Sequence, residues 1–374
     1  VPDYATQTGS DGAYALTGLS SARYRLFAVG DRDRNGFYTE GEDMIGIASG
    51  DVALADGDSI AFAPDIMVAA VDTSLVRFAS AKPVDKNRVE VFFDREIVPG
   101  SFNIAFDGLD IAGWFVSDGE PKKASVATSD QTVGRTYGIT KLAAEDRFGN
   151  RLGPPSGAME FAGTARADTS ALEIVDKSPK VMTPGHEPLV LTFNRALAAF
   201  DSGMVIADAS GERLSVSRKG ANVLEIFPAD SWRENTNYLF TFDREALKGA
   251  GGGRLEGPGA QVAFRVVHSD TLGFMSGTIV DSTGTEGGRY RIRLRHLETE
   301  AVKTLDVKGR AEWQSGPVLP GRYVAFGFRD DDGDGEPCLG KVKPRRPAEP
   351  VYAVPDTIAV VSRRTSDKVR FIFR

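Results

Sequence analysis

The sequence has a single cysteine, Cys338, and therefore has no internal disulfide. Its three histidines, His186, His268 and His296, lie in three different segments, and none has a second histidine four residues on, the spacing of zinc metalloproteases. No Gly-x-Ser-x-Gly motif occurs, and the glycine-rich run 249–259 ends without the Gly-Lys-Ser/Thr that holds a phosphate. The sequence indicates no catalytic site, so we expect a protein that is not an enzyme.

Basic clusters and long apolar runs are also lacking. Lys and Arg number 45 against 52 Asp and Glu, which gives a net charge of −7 and a pI near 5.3. A nucleic-acid-binding surface needs a basic patch, so nucleic acid is not an expected partner. The longest apolar runs, such as 358–361, are far shorter than the ~20 residues that span a membrane. No transmembrane segment is expected in this chain.

Short runs of alternating apolar and polar residues are what the sequence has instead. Each run is bounded by Gly, Pro, Asp or Asn and is typical of a half-buried strand. The runs lie at 24–29, 89–94, 189–194, 238–243, 290–297, 323–328 and 369–374. Nowhere do apolar residues keep a helical spacing over three clean turns. The sequence therefore predicts an all-β protein.

Two pairs of internal repeats divide the chain. Segment 87–97 aligns with 187–197 without a gap, and 10–36 resembles 307–335. The predicted modules are 1–70, 71–166, 167–267 and 268–374. The first module lacks counterparts of two strands that precede the repeat in the last one. Either those strands belong to sequence upstream of residue 1, or another chain supplies them.

The repeats resemble known bacterial domains. "FFDREI" (92–97), "TFNRAL" (192–197) and "DRFGNRL" (146–152) are similar to segments of bacterial Ig-like domains of the S-layer type. "DGAYALTGLSSARYRLFA" (11–28) and "LPGRYVAFGF" (319–328) resemble carboxypeptidase-regulatory or Cna-B-like (transthyretin-like) sandwiches. The resemblance implies tandem Ig-like and transthyretin-like β-sandwiches.

The order of these modules is similar to that of multidomain surface or outer-membrane lipoproteins of the Bacteroidetes type. This similarity implies an extracytoplasmic location, at the cell surface or associated with the outer membrane. It also implies other surface or outer-membrane proteins as partners. A lipid anchor on sequence upstream of residue 1 is compatible with it.

The stretch 31–42 follows the twelve-residue spacing of calcium-binding loops. Gly36 takes the sharp turn, and calcium fits because it accepts about six to eight oxygens, including a bidentate carboxylate. Strand-like residues flank the loop, so we expect a calcium site between strands and not a helical sensor. The alternative is a solvated acidic turn without metal. The expected ligands are Asp31, Asp33, Asn35, the Phe37 carbonyl, Thr39 and Glu42.

A second acidic loop lies at the corresponding place in the last module. Its twelfth position is Lys341, whose ammonium group opposes a cation. A metal here must therefore borrow an oxygen, from Asp331 or Glu336. The candidate ligands are Asp330, Asp332, Asp334 and Glu336, again for Ca²⁺.

Three functions remain open on these observations. The first is a non-enzymatic scaffold, adhesion protein or outer-membrane complex subunit that calcium stiffens. The second is the accessory binding region of a larger secreted enzyme, whose catalytic domain would lie on other sequence. The third is a strand-exchanging assembly subunit, in which a neighbour's strand completes the first module.

Overall fold

The computed structural model divides the chain into two compact units. Residues 73–269 form one, here called the central unit, and residues 1–72 with 270–374 form the other, the terminal unit. In the described residues nearly all regular structure is β-strand, which confirms the all-β prediction. Within the same residues, no helix is long and apolar enough to cross a bilayer. The residues described are 2–39, 43–70, 74–199, 205–208, 214–242, 247–255, 261–283, 287–309, 312–341 and 345–374.

The strands are numbered in chain order. The first group is β1 (Ala22–Tyr24), β2 (Phe27–Gly30), β3 (Met44–Ile47), β4 (Val52–Leu54) and β5 (Ala69–Ala70). The second group is β6 (Phe78–Asp85), β7 (Arg88–Phe93), β8 (Asn103–Phe106), β9 (Ile111–Val116), β10 (Lys123–Thr128), β11 (Thr136–Ala143) and β12 (Glu160–Ala162). The third is β13 (Ile174–Ser178), β14 (Leu189–Phe193), β15 (Val205–Asp208), β16 (Leu214–Gly220), β17 (Val223–Pro228), β18 (Asn237–Phe242) and β19 (Gln261–Arg265). The last is β20 (Phe274–Asp281), β21 (Arg289–His296), β22 (Val302–Lys308), β23 (Glu312–Gln314), β24 (Gly321–Arg329), β25 (Val351–Ala353), β26 (Ile358–Val360) and β27 (Thr365–Phe373). Two short 3₁₀ turns are described, at Pro99–Ser101 and Ser269–Thr271.

The first half of the central unit is a sandwich of two antiparallel sheets, here called the first sandwich. One sheet has the strand order β6-β7-β10-β9 and the other β12-β11-β8. Along β7, Val89, Val91 and Phe93 are buried while the residues between them are partly exposed. This alternation is the period of two that places every second side chain on the core face. Facing side chains of both sheets thus fill one core.

The second half repeats this arrangement and is called the second sandwich. Its sheets have the orders β13-β14-β17-β16 and β15-β18-β19. Tyr238, Phe240 and Phe242 of β18 point into the core in strict alternation with exposed residues. Trp232 is 1% exposed and packs edge-on against Tyr238, with ring centroids 5.2 Å apart. This aromatic cluster anchors the second core.

Equivalent hydrogen bonds occur in the two sandwiches. The backbone N–H of Thr132 donates to the Tyr137 hydroxyl (2.9 Å), and that of Arg233 donates to the Tyr238 hydroxyl (2.9 Å). In both cases a tyrosine fixes the backbone five residues upstream, as the tyrosine corner of immunoglobulin-type sandwiches does. The two sandwiches therefore share this tyrosine–backbone hydrogen bond, which lies outside the aligned segments 87–97 and 187–197.

The aligned motifs "FFDREI" and "TFNRAL" also make equivalent local contacts. The Arg77 N–H donates to the Asp94 carboxylate (2.8 Å), and the Asp94 N–H donates back to the Arg77 carbonyl (3.1 Å). Glu173 and Asn194 exchange the same two bonds, at 3.0 and 3.1 Å. Asp94 and Asn194 can occupy equivalent positions because each has a side-chain oxygen that accepts this N–H. Each motif thus ties the start of its own sandwich to its second strand.

The C-terminal part of the terminal unit is a third sandwich. Its sheets have the order β23-β20-β27 and the order β22-β21-β24-β25, with β26 also paired to β24. β20 and β27 run parallel. At their pairing a Cβ on Gly277 would lie 1.7 Å from the Val369 carbonyl oxygen, so only glycine fits there. Tyr290, Phe371 and Phe373 are fully buried in its core.

The N-terminal part has two small sheets, β1-β4 and β2-β3-β5. The strand predicted at 24–29 is interrupted, since β1 ends at Tyr24 and β2 begins at Phe27. The two pieces pair with different strands, which the continuous alternation of the sequence did not indicate. Asp51 of this part bonds to Arg345 at 2.7 Å, within the same unit. The other six predicted strands are present with ends shifted by at most four residues. The predicted bounds of the four modules stay a prediction.

Candidate metal centres

The first acidic loop brings three carboxylates together. One ligand oxygen from each of Asp31, Asp33 and Asp43 lies within 4.8 Å of the other two. Asp43, which the sequence argument did not include, is 2% exposed and immediately precedes β3. In the described part of the chain, none of these three carboxylates forms an ion pair with a Lys, Arg or His side chain.

Backbone amides shape this loop from inside. The N–H groups of Asn35 and Gly36 donate to the two oxygens of Asp31, at 3.1 and 2.8 Å. These bonds, that of Gly36 above all, hold the pKa of Asp31 below its ordinary value. Asp31 therefore stays ionised in mildly acidic solution, as a calcium ligand must.

The remaining predicted ligands differ in their hydrogen bonds and in their exposure. The Asn35 side-chain amide donates to Asp33 (2.8 Å), and its oxygen accepts the Phe37 N–H (2.7 Å). The Phe37 ring is 62% exposed. Thr39 donates its backbone N–H to Asp43 (2.8 Å). Glu42 lies outside the described residues.

The second acidic loop has its own cluster, formed by Asp330, Asp332 and Glu349. Asp330 and Asp332 were predicted, and Glu349 was not. The structure does not bring Asp334 and Glu336 into this cluster. The Asp334 carboxylate accepts the Glu336 N–H at 2.7 Å, and the Glu336 side chain pairs with an arginine.

One buried carboxylate closes each loop in the same way. In the first loop, Asp43 accepts the N–H of Arg32 with one oxygen (3.0 Å) and that of Thr39 with the other (2.8 Å). In the second loop, Glu349 accepts the N–H of Asp331 (2.7 Å) and that of Cys338 (2.9 Å). These donors hold the second and ninth positions of their loops, so Asp43 and Glu349 are counterparts. Burial raises the pKa of Glu349, although the Cys338 and Asp331 amides oppose the change.

Arginines distinguish the second loop from the first. Four of its acids lie beside a guanidinium group, which balances the charge that a cation would otherwise balance. The pairs are Arg291–Asp330 (3.6 Å), Arg346–Asp332 (3.0 Å), Arg329–Asp331 (2.7 Å) and Arg293–Glu336 (2.7 Å). Of the two loops, the first therefore retains more of its negative charge for an ion.

No protein-family model matches the chain, and no curated protein matches it. Many solved structures are similar at low identity, among them the following three. The FN1–FN3 domains of chicken CNTN1 match at 11% identity over 77% of this chain and 98% of theirs, with a TM-score of 0.19. The S-layer protein rSbsC matches at 12% identity over 69% of this chain and 40% of its own, with a TM-score of 0.20. The major pilin subunit of Bacillus cereus matches at 12% identity over 73% and 95%, with a TM-score of 0.17. Such TM-scores do not establish a shared fold, and the all-β architecture rests on the strands described above.

Asp43 and Glu349 were not predicted from the sequence, and they differ in whether a local signal pointed to them. Asp43 directly follows Glu42, the last position of the twelve-residue stretch, and precedes an apolar strand, so an acid fixed at a strand start was a detectable signal. Glu349 lies far beyond the twelve-residue window, after a turn rich in Pro and Arg. Its position depends on how β24 and β25 pair, which local spacing does not encode.

Replacing Glu349 by alanine should lower the free energy of unfolding of the terminal unit by about 1–3 kcal/mol, because the part-buried N–H groups of Asp331 and Cys338 lose a charged acceptor. Urea unfolding followed by Trp313 fluorescence measures this loss. The control is Glu336→Ala, since Glu336 is exposed and its ion pair with Arg293 contributes about 0–1 kcal/mol. Equal losses in the two variants would contradict a loop-closing role for Glu349.

Proposed function

We propose that this protein is a non-enzymatic structural or interaction protein of the cell surface, in which calcium stiffens the first acidic loop. Tandem β-sandwiches with cores of their own are suited to spacing and to presenting surfaces. Fold alone assigns no function, however, so the proposal depends on the loop.

The observation that carries the proposal is the set of three adjacent carboxylates of Asp31, Asp33 and Asp43, which lack basic partners among the described residues. Like charges this close repel one another, and a divalent cation relieves the repulsion. Carboxylate oxygens are the ligands that Ca²⁺ prefers, and three carboxylates with the Asn35 amide offer enough of them. The second loop is the weaker candidate because arginines already balance its acids.

Calcium titration tests the proposal. We expect binding with a dissociation constant of about 10⁻⁴–10⁻³ M, the range of extracellular modules. At a calcium concentration one hundred times that constant, the bound state gains about 2.7 kcal/mol of stability. Calorimetric titration and thermal unfolding of the full chain, with and without calcium, measure both quantities.

Two matched variants locate the site. Asp31→Asn removes the charge and keeps one oxygen that accepts either the Asn35 or the Gly36 amide, so we expect it to abolish the calcium-dependent gain. Asp330→Asn changes the corresponding residue of the second loop, and we expect it to leave the gain unchanged. The calcium proposal fails if the parent protein shows neither heat nor stabilisation, or if Asp31→Asn binds as tightly as the parent.

The finer assignment is an outer-membrane-associated lipoprotein of the Bacteroidetes type, which acts as a scaffold, adhesion protein or complex subunit. The resemblance of the repeated motifs supports this assignment, as do the single cysteine and a calcium site suited to millimolar concentrations. We also propose the four modules 1–70, 71–166, 167–267 and 268–374. Recovery of the native protein in the soluble cytoplasmic fraction would contradict the location.

A further inference from the structure

Four charged side chains meet where the two sandwiches of the central unit adjoin. They are Asp85 at the end of β6, Arg88 at the start of β7, Asp168 in the connecting segment and Arg195 after β14. Asp85 and Arg195 are 2% and 6% exposed, and the Asp168 side chain is 4% exposed. We call this set the junction tetrad. So many buried charges in a structural protein call for a physical reason, because each one is costly to remove from water.

The tetrad contains two ion pairs. Arg88–Asp85 lies within the first sandwich, and Arg195–Asp168 joins the second sandwich to the connecting segment. Arg88 Nε lies 3.3 Å from Asp85 Oδ2, and an Arg195 guanidinium nitrogen donates to the Asp168 carboxylate. The pairs also act on each other. Burial lowers the pKa of Arg195, and the positive charge of Arg88 lowers it further. Burial raises the pKa of Asp85, and the charge of Asp168 adds to this.

The space between these side chains is too small for an organic ligand. The cavity at the tetrad has a volume of about 20 Å³, and a single water molecule requires ~10–15 Å³. Three buried atoms beside it, Asp85 Oδ2, Arg88 Nε and Arg195 Nε, have no hydrogen-bond partner within the described residues. A substrate pocket is thereby excluded, and the role of the tetrad concerns the two sandwiches themselves.

Backbone contacts hold the same junction together. The Lys86 N–H donates to the Arg166 carbonyl of the connecting segment at 2.8 Å. The buried Gln131 side chain donates to the Asp85 carbonyl (3.0 Å) and accepts the Thr164 N–H (3.3 Å). The segment between the sandwiches is therefore bonded to the first one and is not a free linker.

We propose that the junction tetrad fixes the relative orientation of the two sandwiches. A buried charge is tolerated only while its partner stays in place. If the sandwiches tilted or twisted, Arg195 would move away from its partner Asp168 or closer to the like charge of Arg88. Either movement would be unfavourable. Only one relative orientation of the sandwiches satisfies both ion pairs. The tetrad therefore selects that orientation, at some expense in stability. As a result, the central unit behaves as one stiff body.

Distances between spin labels on the two sandwiches test this proposal in the full chain. The labels replace the exposed strand residues Thr136 and Ser217, and Cys338→Ser removes the native thiol. We expect a narrow distance distribution for the parent and a broader one for Arg195→Met, which keeps an unbranched apolar side chain but removes the charged guanidinium group.

The matched control is Arg95→Met. Arg95 occupies the corresponding position of the first repeat, where it pairs with Asp146 (3.6 Å) and not with the tetrad. The Arg95→Met variant should have a lower free energy of unfolding but the same width of the distance distribution. If Arg195→Met does not fold, Asp168→Asn replaces it, because asparagine still accepts the Ser170 N–H.

The proposal is overturned if the tetrad variant keeps the parent's narrow distribution, or if Arg95→Met broadens it equally. A broadening confined to the tetrad variants supports it. These results do not depend on calcium, so they are independent of the proposed metal site.

Discussion

Replacing Trp232 by alanine should lower the free energy of unfolding of the central unit by about 3–5 kcal/mol. The indole is 1% exposed and packs against Tyr238, Phe240 and Phe264, with centroid distances of 5.2, 6.2 and 5.2 Å. Its N–H donates to the Glu187 carbonyl at 2.7 Å, and the variant also loses this hydrogen bond. A loss of this size is a large part of the ~5–15 kcal/mol that stabilises a typical domain.

Urea unfolding measures this loss, with Trp114 as the remaining fluorophore of the central unit. Trp232→Phe is the graded comparison, because it keeps an aromatic ring but loses the N–H, and it should fall between the alanine variant and the parent. Val175→Ala, at a side chain that is 58% exposed, should stay near the parent. A loss below about 1 kcal/mol for Trp232→Ala would show that this cluster does not anchor the second sandwich.

Asp281→Ala is the second change for which we expect a large effect, about 3–5 kcal/mol in the terminal unit. The Asp281 side chain is fully buried and accepts hydrogen bonds from the Tyr290 hydroxyl (2.6 Å) and from Arg329 (3.1 Å). Removing the carboxylate leaves the Arg329 charge without its buried partner. A truncated ion pair costs more than an absent one because the remaining charge stays desolvated.

The pH dependence of stability gives an independent test of Asp281. Burial raises the pKa of this carboxyl, but hydrogen bonds from Thr283, Tyr290 and Arg329 outweigh burial and hold it below its ordinary value of 3.8. A lowered pKa in the folded state means that the stabilisation is present above about pH 4 and is lost as the pH falls through the folded pKa.

Asp281→Asn should therefore flatten the acid side of the stability curve of the terminal unit. Asp306→Asn is the matched control, since Asp306 is 63% exposed and pairs with Arg291 on the surface. Trp313 fluorescence between about pH 2 and pH 6 follows the unfolding. An unchanged acid slope in Asp281→Asn would contradict the assignment.

Local pattern was sufficient to predict the strands because alternation is a property of a few consecutive residues. The buried positions of β7 and β18 follow directly from it. The same pattern gave no partner for β27, which pairs in parallel with a strand about ninety residues earlier. It also missed the interruption after Tyr24, where β1 and β2 join different sheets. Pairing is decided by packing over long separations, and a single sequence does not display it.

The candidate metal centre was predictable to the same degree. Asp31 and Asp33 follow a spacing that a loop around a cation imposes, and the structure brings them together. The twelfth position suggested Glu42 and Lys341 as the decisive difference between the loops. Glu42 lies outside the described residues, and among those described Asp43 and Glu349 close the loops, while arginines, most of them on neighbouring strands, set the charge balance of the second. Those arginines belong to other segments, so the loop sequence carries no sign of them.

The division of the chain also determines the order in which the protein can fold during synthesis. Residues 73–269 contain every strand of the central unit, so that unit can fold while translation continues. Residues 1–72 precede the central unit along the chain, and residues 270–374, which complete the terminal unit, follow it. At ~5–20 residues per second, synthesis of residues 73–374 takes roughly 15–60 s. During that interval Asp51 has no Arg345 to bond, so the N-terminal part of the terminal unit remains incomplete and vulnerable to aggregation.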